Sequence, residues 1–136
     1  MKYFLAKTDP GTYSLDDLER DKQTVWDGVS NPQALRAIRQ MRPGDKVFIY
    51  HSGGQSAVVG LAEVVSEPRP DPNNPKLSVA DFRFLARLVP PTTLAEVKAQ
   101  RSLQSWALVR QPRLSTMEAP AAFVEWMRRR YPKAPI

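Results

Sequence analysis

Apolar residues recur at every second position in several short stretches of the chain, and this period predicts β-strands. The clearest stretch is Val79–Val89, and its apolar face consists of Phe82, Phe84, Ala86 and Leu88. A second strand, Ala57–Val65, contains Gly60, which predicts a bulge, a bend or a close backbone approach. The remaining predicted strands cover Tyr3–Lys7, Lys46–His51 and Arg113–Met117.

Other stretches carry the signals that begin helices. Ser14 with Asp17, and Thr93 with Glu96, have the spacing of a capping box. They predict short helices that end near residues 20 and 100. Pro120 predicts the start of a C-terminal helix. That helix places Phe123, Trp126 and Met127 at core spacing and ends in Arg128-Arg129-Arg130.

A further helix is predicted where Asn31 and Pro32 suit the N-cap and the first helical position. Within it Leu35, Ile38 and Met41 fall three residues apart, which predicts a buried stripe. Arg36, Arg39 and Arg42 repeat at the same spacing on a neighbouring face. Two interpretations of these arginines stay open: a solvated helix face, which is the simpler one, and contacts to phosphates.

Prolines divide the chain between these elements. The segment Pro68–Pro75 holds four prolines and predicts an exposed loop, and Pro90–Pro91 predicts the end of a strand. A turn is expected around Leu103 and Trp106. The predicted order β-α-α-β-β-β-α-β-α indicates an α+β fold, with a small curved or barrel-like sheet flanked by helices. We expect a single domain over residues 1–136.

Composition narrows the classes of function. The 136 residues include no cysteine, which excludes disulfides and thiolate chemistry and suits a cytoplasmic protein. No apolar run is long enough to span a membrane, and the N-terminus does not resemble a signal peptide, so no membrane partner is expected. The net charge of +6 favours polyanionic partners such as nucleic acids.

One stretch, Thr24–Pro32, combines residue types that suit a planar ligand with polar edges. Trp26 brings a flat π face and Asp27 an acceptor. Gly28 lets backbone approach a ligand closely, and Asn31 both donates and accepts. These are the parts needed to hold a nucleobase. The simpler interpretation is that Trp26 is a core residue and that Asp27 and Gly28 form a plain turn.

Catalytic and metal chemistry find little support. The chain has one histidine, His51, which cannot form a zinc site without cysteines or suitably spaced carboxylates. A triad of Ser52, His51 and Asp27 is disfavoured because adjacent strand residues point to opposite faces. No phosphate-binding glycine motif is present, so no nucleotide cofactor is expected. His51 is equally well interpreted as a structural residue or a ligand contact.

Six blocks, in order along nearly the whole chain, resemble the EVE domain. They are Lys7-Thr8-Asp9-Pro10 with Tyr13-Ser14, Trp26-Asp27-Gly28-Val29 with Asn31, Gly44-Asp45, Phe48-Ile49-Tyr50-His51-Ser52, Gly60-Leu61-Ala62-Glu63-Val64 and Arg113-Leu114-Ser115. The EVE domain belongs to the PUA-like group and is related to the YTH readers of methylated adenine. The resemblance implies a curved mixed sheet of five or six strands that closes to a pseudo-barrel, with helices around it.

The resemblance also implies a pocket beside Trp26 for a flipped-out, modified base of DNA or RNA. Carried over by position, the ligand-binding residues are Lys7, Thr8, Trp26, Asp27, Gly28, Val29, Asn31, Tyr50, His51, Ser52, Leu114 and Ser115. Arg36, Arg39 and Arg113 are expected to contact the nucleic-acid backbone. Asp9 stands where the family more often has Glu, and Ser30 stands where it often has Arg, which removes a cation near the expected pocket mouth.

The leading hypothesis is a non-catalytic module that recognises a modified base such as methylated or hydroxymethylated cytosine, with a basic surface around a neutral pocket. One alternative is a binder of a small molecule or free nucleoside. The other is an enzyme that acts on a base or nucleotide, with Asp27 or His51 as its acid–base. The choice of base, the choice between DNA and RNA, the oligomeric state and a nuclease partner are left open by the sequence.

Overall fold

A mixed β-sheet with helices around it forms the framework of the protein, and the computed structural model describes all residues from Met1 to Ile136. The strands are β1 (Tyr3–Thr8), β2 (Gln23–Trp26), β3 (Lys46–His51), β4 (Ala57–Val64), β5 (Arg69–Asp71), β6 (Asn74–Thr93) and β7 (Thr116–Glu118). The helices are α1 (Leu15–Asp21), α2 (Pro32–Gln40), α3 (Leu94–Lys98), α4 (Ala107–Arg110) and α5 (Ala121–Arg130), with one turn of 3₁₀ helix at Arg101–Leu103.

The sheet has the strand order β2-β6-β4-β3-β1-β7, and β5 also pairs with β6. β1 and β3 run parallel, whereas every other pair is antiparallel. Irregular registers in the β3–β4 and β4–β6 pairs bend the sheet. The expected α+β class and the curved, PUA-like mixed sheet flanked by helices are therefore confirmed. The curve stays open, because β2 and β7 at its edges do not pair with each other.

A single hydrophobic core joins the helices to the sheet. Four phenylalanines are fully buried in it: Phe4, Phe48, Phe82 and Phe123. The predicted stripe on α2 is buried as expected, at Leu35, Ile38 and Met41. The neighbouring stripe of Arg36, Arg39 and Arg42 is exposed. Helix α2 thus packs against the sheet with one face and presents arginines with another.

The predicted helix starts are confirmed by their caps. Ser14 and Asp17 form a complete capping box at α1, and Thr93 and Glu96 form one at α3. The side chain of Asn31 accepts hydrogen bonds from two backbone amides at the start of α2. Pro120 occupies the N-cap of α5 rather than its first helical position.

The prediction of an exposed loop at residues 68–75 is wrong. Residues 69–71 form β5, which turns through Pro72 and Asn73 and pairs with the first part of β6. Proline lacks an N–H, but it is tolerated in an edge strand, where that N–H faces solvent. β5 is such a strand, since β6 is its only neighbour.

The prediction that Pro90–Pro91 ends a strand is also wrong, because β6 continues to Thr93. Its pairing with β4 passes from Gly60–Arg87 directly to Val58–Thr92. One residue of β4, Val59, therefore faces four of β6, and both prolines lie among these four unpaired residues. The missing N–H groups cost no ladder hydrogen bonds there.

Three shorter elements differ from the expectations. β2 and α4 have no counterpart in the predicted order, and the last strand begins at Thr116 rather than Arg113.

Gly60 lies where a bulge, a bend or a close backbone approach was expected. A Cβ atom there would meet a Leu15 side-chain carbon at 2.4 Å and the Ala86 carbonyl at 3.2 Å. Glycine at this position lets α1 pack directly on the sheet.

Candidate nucleic-acid interface

A cavity of about 490 Å³ opens where β1 and β2 end, a volume within the range of small-ligand pockets. Its lining comes from the end of β1, the turn into α1, β2, the segment after β2 and the segment before β7. The lining residues are Lys7, Thr8, Asp9, Thr12, Tyr13, Thr24, Val25, Trp26, Asp27, Gly28, Val29 and Ser115. Residues far apart in sequence thus converge on one concave site.

The turn after β1 builds one wall of the cavity. The Asp9 side chain accepts a hydrogen bond from the Gly11 amide at 2.8 Å, and the Asp9 carbonyl accepts from the Tyr13 amide at 2.9 Å. The Thr8 hydroxyl donates to the Tyr13 carbonyl at 2.6 Å. These bonds fold the chain back on itself immediately after the strand. As a result Thr8, Asp9 and Tyr13 face the same space.

Trp26 forms another part of the cavity wall, at the end of β2. Its ring stacks on Phe82 with centroids 5.0 Å apart, and the Tyr13 ring meets it edge-on at 6.3 Å. Only 7% of its surface is exposed. Trp26 is thus a core residue whose ring borders the cavity, and it combines the two interpretations that the sequence left open.

The turn after Trp26 depends on Gly28. This residue has a φ of 77°, in the left-handed region that favours glycine, and nothing lies near the position of a Cβ atom. Its backbone conformation, rather than space, requires glycine. Asp27, beside it, is exposed and makes no hydrogen bond or ion pair within the chain. Its carboxylate is free to accept hydrogen bonds from a ligand.

Lys7 brings a cation to the cavity. Its ammonium donates to the Pro112 carbonyl at 3.0 Å and lies 5.4 Å from the centre of the Tyr50 ring. No carboxylate forms an ion pair with it, and burial lowers the pKa of Lys7 from its usual range. Two of its three N–H donors have no partner within the chain. With Asp9 and Asp27, Lys7 makes the cavity charged rather than neutral.

Two tyrosines border this charged region in different ways. Tyr13 lines the cavity, and its hydroxyl donates to Asp21 at 2.9 Å. Burial, with a smaller contribution from Asp21, raises the pKa of Tyr13. Tyr50 is 3% exposed and lies outside the lining, and burial raises its pKa as well. Both hydroxyls stay protonated near neutral pH.

Several predicted site residues lie outside the cavity lining. His51 Nε2 accepts a hydrogen bond from the Leu15 amide at 3.0 Å, and its Nδ1 lies 3.2 Å from Gln55 Oε1. Nε2 is thus unprotonated and Nδ1 carries the hydrogen. Asn31 caps α2 through its side-chain oxygen at 2.8 and 3.1 Å from two amides. The Ser52 amide donates to the Thr8 carbonyl at 3.0 Å.

The segment before β7 is divided between two cavities. Ser115 lines the cavity beside Trp26, and its carbonyl accepts from the Lys7 amide at 2.8 Å. Leu114 is 4% exposed and lines a second cavity, between α2 and β7. Arg36 lines that second cavity too and makes no hydrogen bond or ion pair. The two cavities thus adjoin at residues 114 and 115.

The three arginines expected to contact the nucleic-acid backbone differ in whether hydrogen bonds within the chain hold their side chains. Arg113 is exposed and makes no hydrogen bond or ion pair, as is true of Arg36. Arg39 is held by Ser78 Oγ at 2.8 Å and by the Lys76 carbonyl at 3.0 Å. Arg36 and Arg113 are therefore unpaired surface cations, whereas Arg39 is oriented by its two hydrogen bonds.

Five cavity residues were not among the predicted ligand contacts: Asp9, Thr12, Tyr13, Thr24 and Val25. Asp9 and Tyr13 stood in the sequence blocks but were not carried over as ligand contacts. Recognition of β2 would have placed Thr24 beside Trp26, because residues two apart in a strand share a face. Val25, on the other face of β2, also lines the cavity and is 46% exposed.

No group of three or more histidine, cysteine, aspartate or glutamate side chains is placed to hold a metal ion. None of the helices combines the length and the apolar character needed to cross a membrane.

Comparison with known proteins adds independent support for the family. The model of the EVE domain family matches residues 2–130. Rat thymocyte nuclear protein 1 (Rattus norvegicus) is 32% identical over 149 aligned residues, which cover 83% of this chain and 66% of the rat protein. The chain therefore spans slightly less than two thirds of the length of this curated relative.

Solved structures show the same architecture. Protein Rpa0253 from Rhodopseudomonas palustris superposes with a TM-score of 0.89 at 33% identity, covering 96% of this chain and 92% of that one. The human THYN1 protein, in complex with DNA containing 5-methylcytosine, superposes with a TM-score of 0.85 at 26% identity, covering 96% and 98% of the two chains.

Proposed function

The chain belongs to the EVE domain family, and on this premise we propose that it binds DNA and recognises a modified cytosine in the cavity beside Trp26. The observation that carries the proposal is the cavity of about 490 Å³, which gathers Trp26–Val29, Lys7, Thr8 and Ser115. A structural neighbour, the human THYN1 protein, was solved with DNA containing 5-methylcytosine. We propose the protein as a non-catalytic reader.

The charges in the cavity suit the polar edge of cytosine. Its exocyclic amine donates hydrogen bonds, and carboxylates accept from that amine. Asp27 and Asp9 supply such carboxylates. The ring nitrogen and carbonyl of cytosine accept hydrogen bonds, and Lys7 retains two donors for them. The base would leave the helical stack to reach these groups, at a cost of a few kcal/mol.

The apolar part of the cavity suits an added methyl group. Trp26 and Val29 are buried, and Val25, which also lines the cavity, is 46% exposed. Covering an exposed valine removes apolar surface from water, which favours the methylated base. A single methyl increment supports roughly ten- to two-hundred-fold discrimination. A hydroxymethyl group would need an additional polar partner, for which Thr24 and Thr12 are the nearest candidates in the lining.

The net charge of +6 supports a phosphate-binding surface around the cavity. Arg36 and Arg113 are exposed and unpaired. Arg113 directly precedes Leu114 and Ser115 in the chain, and Arg36 lines the same cavity as Leu114. Backbone contacts of this kind hold the strand in place, while the cavity reads the base. The same surface would accept RNA, so the choice of nucleic acid is decided by the binding experiment.

The test is a titration of the protein with matched oligonucleotides. Single- and double-stranded DNA and RNA would each carry one 5-methylcytosine, one 5-hydroxymethylcytosine, one N6-methyladenine or no modified base. Asp27→Asn is the informative variant, because Asp27 makes no contact within the chain and its loss should leave the fold intact. Glu125→Gln, an exposed acid on α5, is the matched control.

We expect preferential binding of one modified cytosine in DNA, a marked loss of affinity for that oligonucleotide in Asp27→Asn, and no change in Glu125→Gln. Equal, salt-sensitive binding to every oligonucleotide would contradict recognition in the cavity. Binding of free nucleosides that does not weaken with salt would favour the small-molecule alternative. Conversion of the bound base to a new product would favour the enzyme alternative.

A further inference from the structure

A third concave site, which we name the arginine groove, lies between the C-terminal end of α2 and β5. It has a volume of about 260 Å³. Three of its seven lining residues are arginines: Arg39, Arg42 and Arg69. The others are Glu67, Ser78 and two prolines, and none of the seven is an aliphatic or aromatic residue. An open groove of this composition suits a hydrophilic anion rather than an apolar ligand.

The three guanidinium groups are held in place by the fold. Arg39 donates to Ser78 Oγ at 2.8 Å and to the Lys76 carbonyl at 3.0 Å. Arg42 donates to the Arg39 carbonyl at 3.0 Å and the Met41 carbonyl at 2.6 Å. Arg69 donates to Asp81 at 2.9 Å and to Ser66 Oγ at 3.3 Å. These bonds leave N–H donors on each guanidinium unpaired, since arginine has five.

The groove keeps an excess of positive charge. Glu67 lies 3.6 Å from Arg42, and Asp81 pairs with Arg69, so two carboxylates face three arginines. Arg39 has no carboxylate partner. Both members of the Arg42–Glu67 pair are more than half exposed, so this ion pair is weak and an incoming anion can replace Glu67. An oriented guanidinium group can donate two parallel hydrogen bonds to two oxygens of one phosphate. A surface cation that is not held in place lacks this geometry.

The arginine groove lies on the same face of the sheet as the cavity. Trp26 pairs with Ala80 across β2 and β6, and paired residues share a face. Ser78 precedes Ala80 by two residues, so its side chain points to that face too, about 7 Å further along β6. Helix α2 follows the cavity residues and ends at the groove, a length of about 14 Å for nine residues.

We propose that the arginine groove binds a phosphodiester group of the same nucleic-acid strand whose base enters the cavity. This inference rests on the proposed function and adds a defined phosphate site to it. A strand advances about 3.4 Å per nucleotide along a duplex, so the groove meets a phosphate a few nucleotides from the recognised base. The groove therefore fixes the register of the strand, while the cavity reads the base.

The experiment measures the salt dependence of binding. A DNA duplex with one central 5-methylcytosine and its unmodified twin are titrated at several potassium chloride concentrations. The variants are Arg42→Gln with Arg69→Gln, and Arg69→Lys alone, which keeps the charge but loses the planar fork. Arg129→Gln is the matched control, because Arg129 is exposed on α5 and makes no hydrogen bond or ion pair. Urea unfolding checks that each variant is folded.

We expect the double variant to reduce the slope of log K against log salt by about 1, the change expected when one phosphate contact is lost. Its affinity should fall equally for both duplexes, so the preference for 5-methylcytosine persists. Arg69→Lys should lose affinity although the net charge is unchanged. An unchanged slope in a folded double variant would overturn the proposal that the groove binds a phosphate, and it would leave the proposed function intact.

A second arm separates failure of the groove from failure of the proposed function. If the wild-type protein binds no oligonucleotide, the proposed function fails, and the groove is then titrated with inorganic phosphate and pyrophosphate. Binding that disappears in the double variant would reassign the groove to a free phosphate. Absence of any such binding would overturn the groove as an anion site.

Discussion

The cavity beside Trp26 and the layer of residues behind it both contain polar side chains, but these side chains have opposite roles. In the cavity, Asp27 has no partner within the chain, and Lys7 donates only to the Pro112 carbonyl. Behind the cavity, His51 accepts a hydrogen bond from the amide of Leu15. Asn31 accepts from two amides at the start of α2. His51 and Asn31 already accept hydrogen bonds within the fold, whereas Asp27 and Lys7 keep polar groups free for a ligand.

This difference shows how the backbone decides which side chains remain for a ligand. The first amides of a helix have no partner within the helix, so a nearby acceptor is needed to satisfy them. His51 and Asn31 meet that need for α1 and α2. The Lys7 ammonium keeps two free donors and the Asp27 carboxylate has no partner, because neither side chain caps a helix. Substitutions in the layer behind the cavity should therefore lower the free energy of unfolding, whereas substitutions of the free polar side chains in the cavity should not.

The largest effect is expected for Trp26, which belongs to both layers. Trp26→Ala removes a ring stacked on Phe82, and we expect the free energy of unfolding to fall by about 3–5 kcal/mol. Urea denaturation measures this loss. Trp26→Phe is the control, since it keeps part of the stacking and should lose less. A loss below about 1 kcal/mol would mean that Trp26 serves the ligand rather than the core.

The next effect is expected at His51. His51→Ala leaves the Leu15 amide without an acceptor, which costs about 1–3 kcal/mol for a buried donor and less for this half-buried site. Base preference should persist, because His51 does not line the cavity. Gln55→Ala, which removes only the second ring contact, should change stability little. Unaltered stability together with a lost base preference would place His51 in the binding layer.

A smaller loss is expected at the start of α2. Asn31→Ala removes an N-cap side chain that accepts two backbone hydrogen bonds, and the typical cost is about 1 kcal/mol. Asn31→Asp should keep the cap and most of the stability. Because α2 also leads from the cavity to the arginine groove, amide hydrogen exchange of its first turn gives a local measure. Protected first-turn amides in Asn31→Ala would show that the cap is dispensable.

Much of the fold was predictable from local signals. The capping boxes at Ser14 and Thr93 and the Asn31–Pro32 pair mark helix starts by chemistry that acts within three residues. The errors arose where distant pairing overrides a local signal. Pro90 and Pro91 carry a strong terminating signal, but the bulge in β6 removes the need for their N–H groups. The pairing of Arg69 with Val79 likewise turned an expected loop into a strand.

The candidate site was predictable in its centre and less so at its edges. The block Trp26–Val29, together with Lys7, Thr8 and Ser115, does line one cavity. His51 also belongs to the sequence blocks, but residue type could not show that its ring serves a helix start from 36 positions away. The arginine groove was beyond sequence analysis for the same reason, because Arg69 comes from a segment that was predicted to be a loop.

The smallest effect, and one of opposite sign, is expected at Lys7. Its ammonium is partly buried without a carboxylate, and burial lowers the pKa of Lys7 below its ordinary value of 10.5. Between the lowered pKa and 10.5 the unfolded chain binds more protons than the folded one, so this site's contribution to stability rises with pH. Lys7→Met removes the buried charge and should leave stability unchanged or raise it by up to about 0.5 kcal/mol near neutral pH.

That advantage of Lys7→Met over the wild type should shrink as the pH rises from neutral towards 10.5, because the wild-type lysine loses its charge on the way. Urea unfolding of both proteins across this range gives the difference directly, and effects of Tyr13 and Tyr50 largely cancel in it. Affinity for modified DNA should fall in the same variant. A clear loss of stability in Lys7→Met at neutral pH would instead show that its bond to Pro112 holds the fold together, and Lys7 would move to the layer behind the cavity.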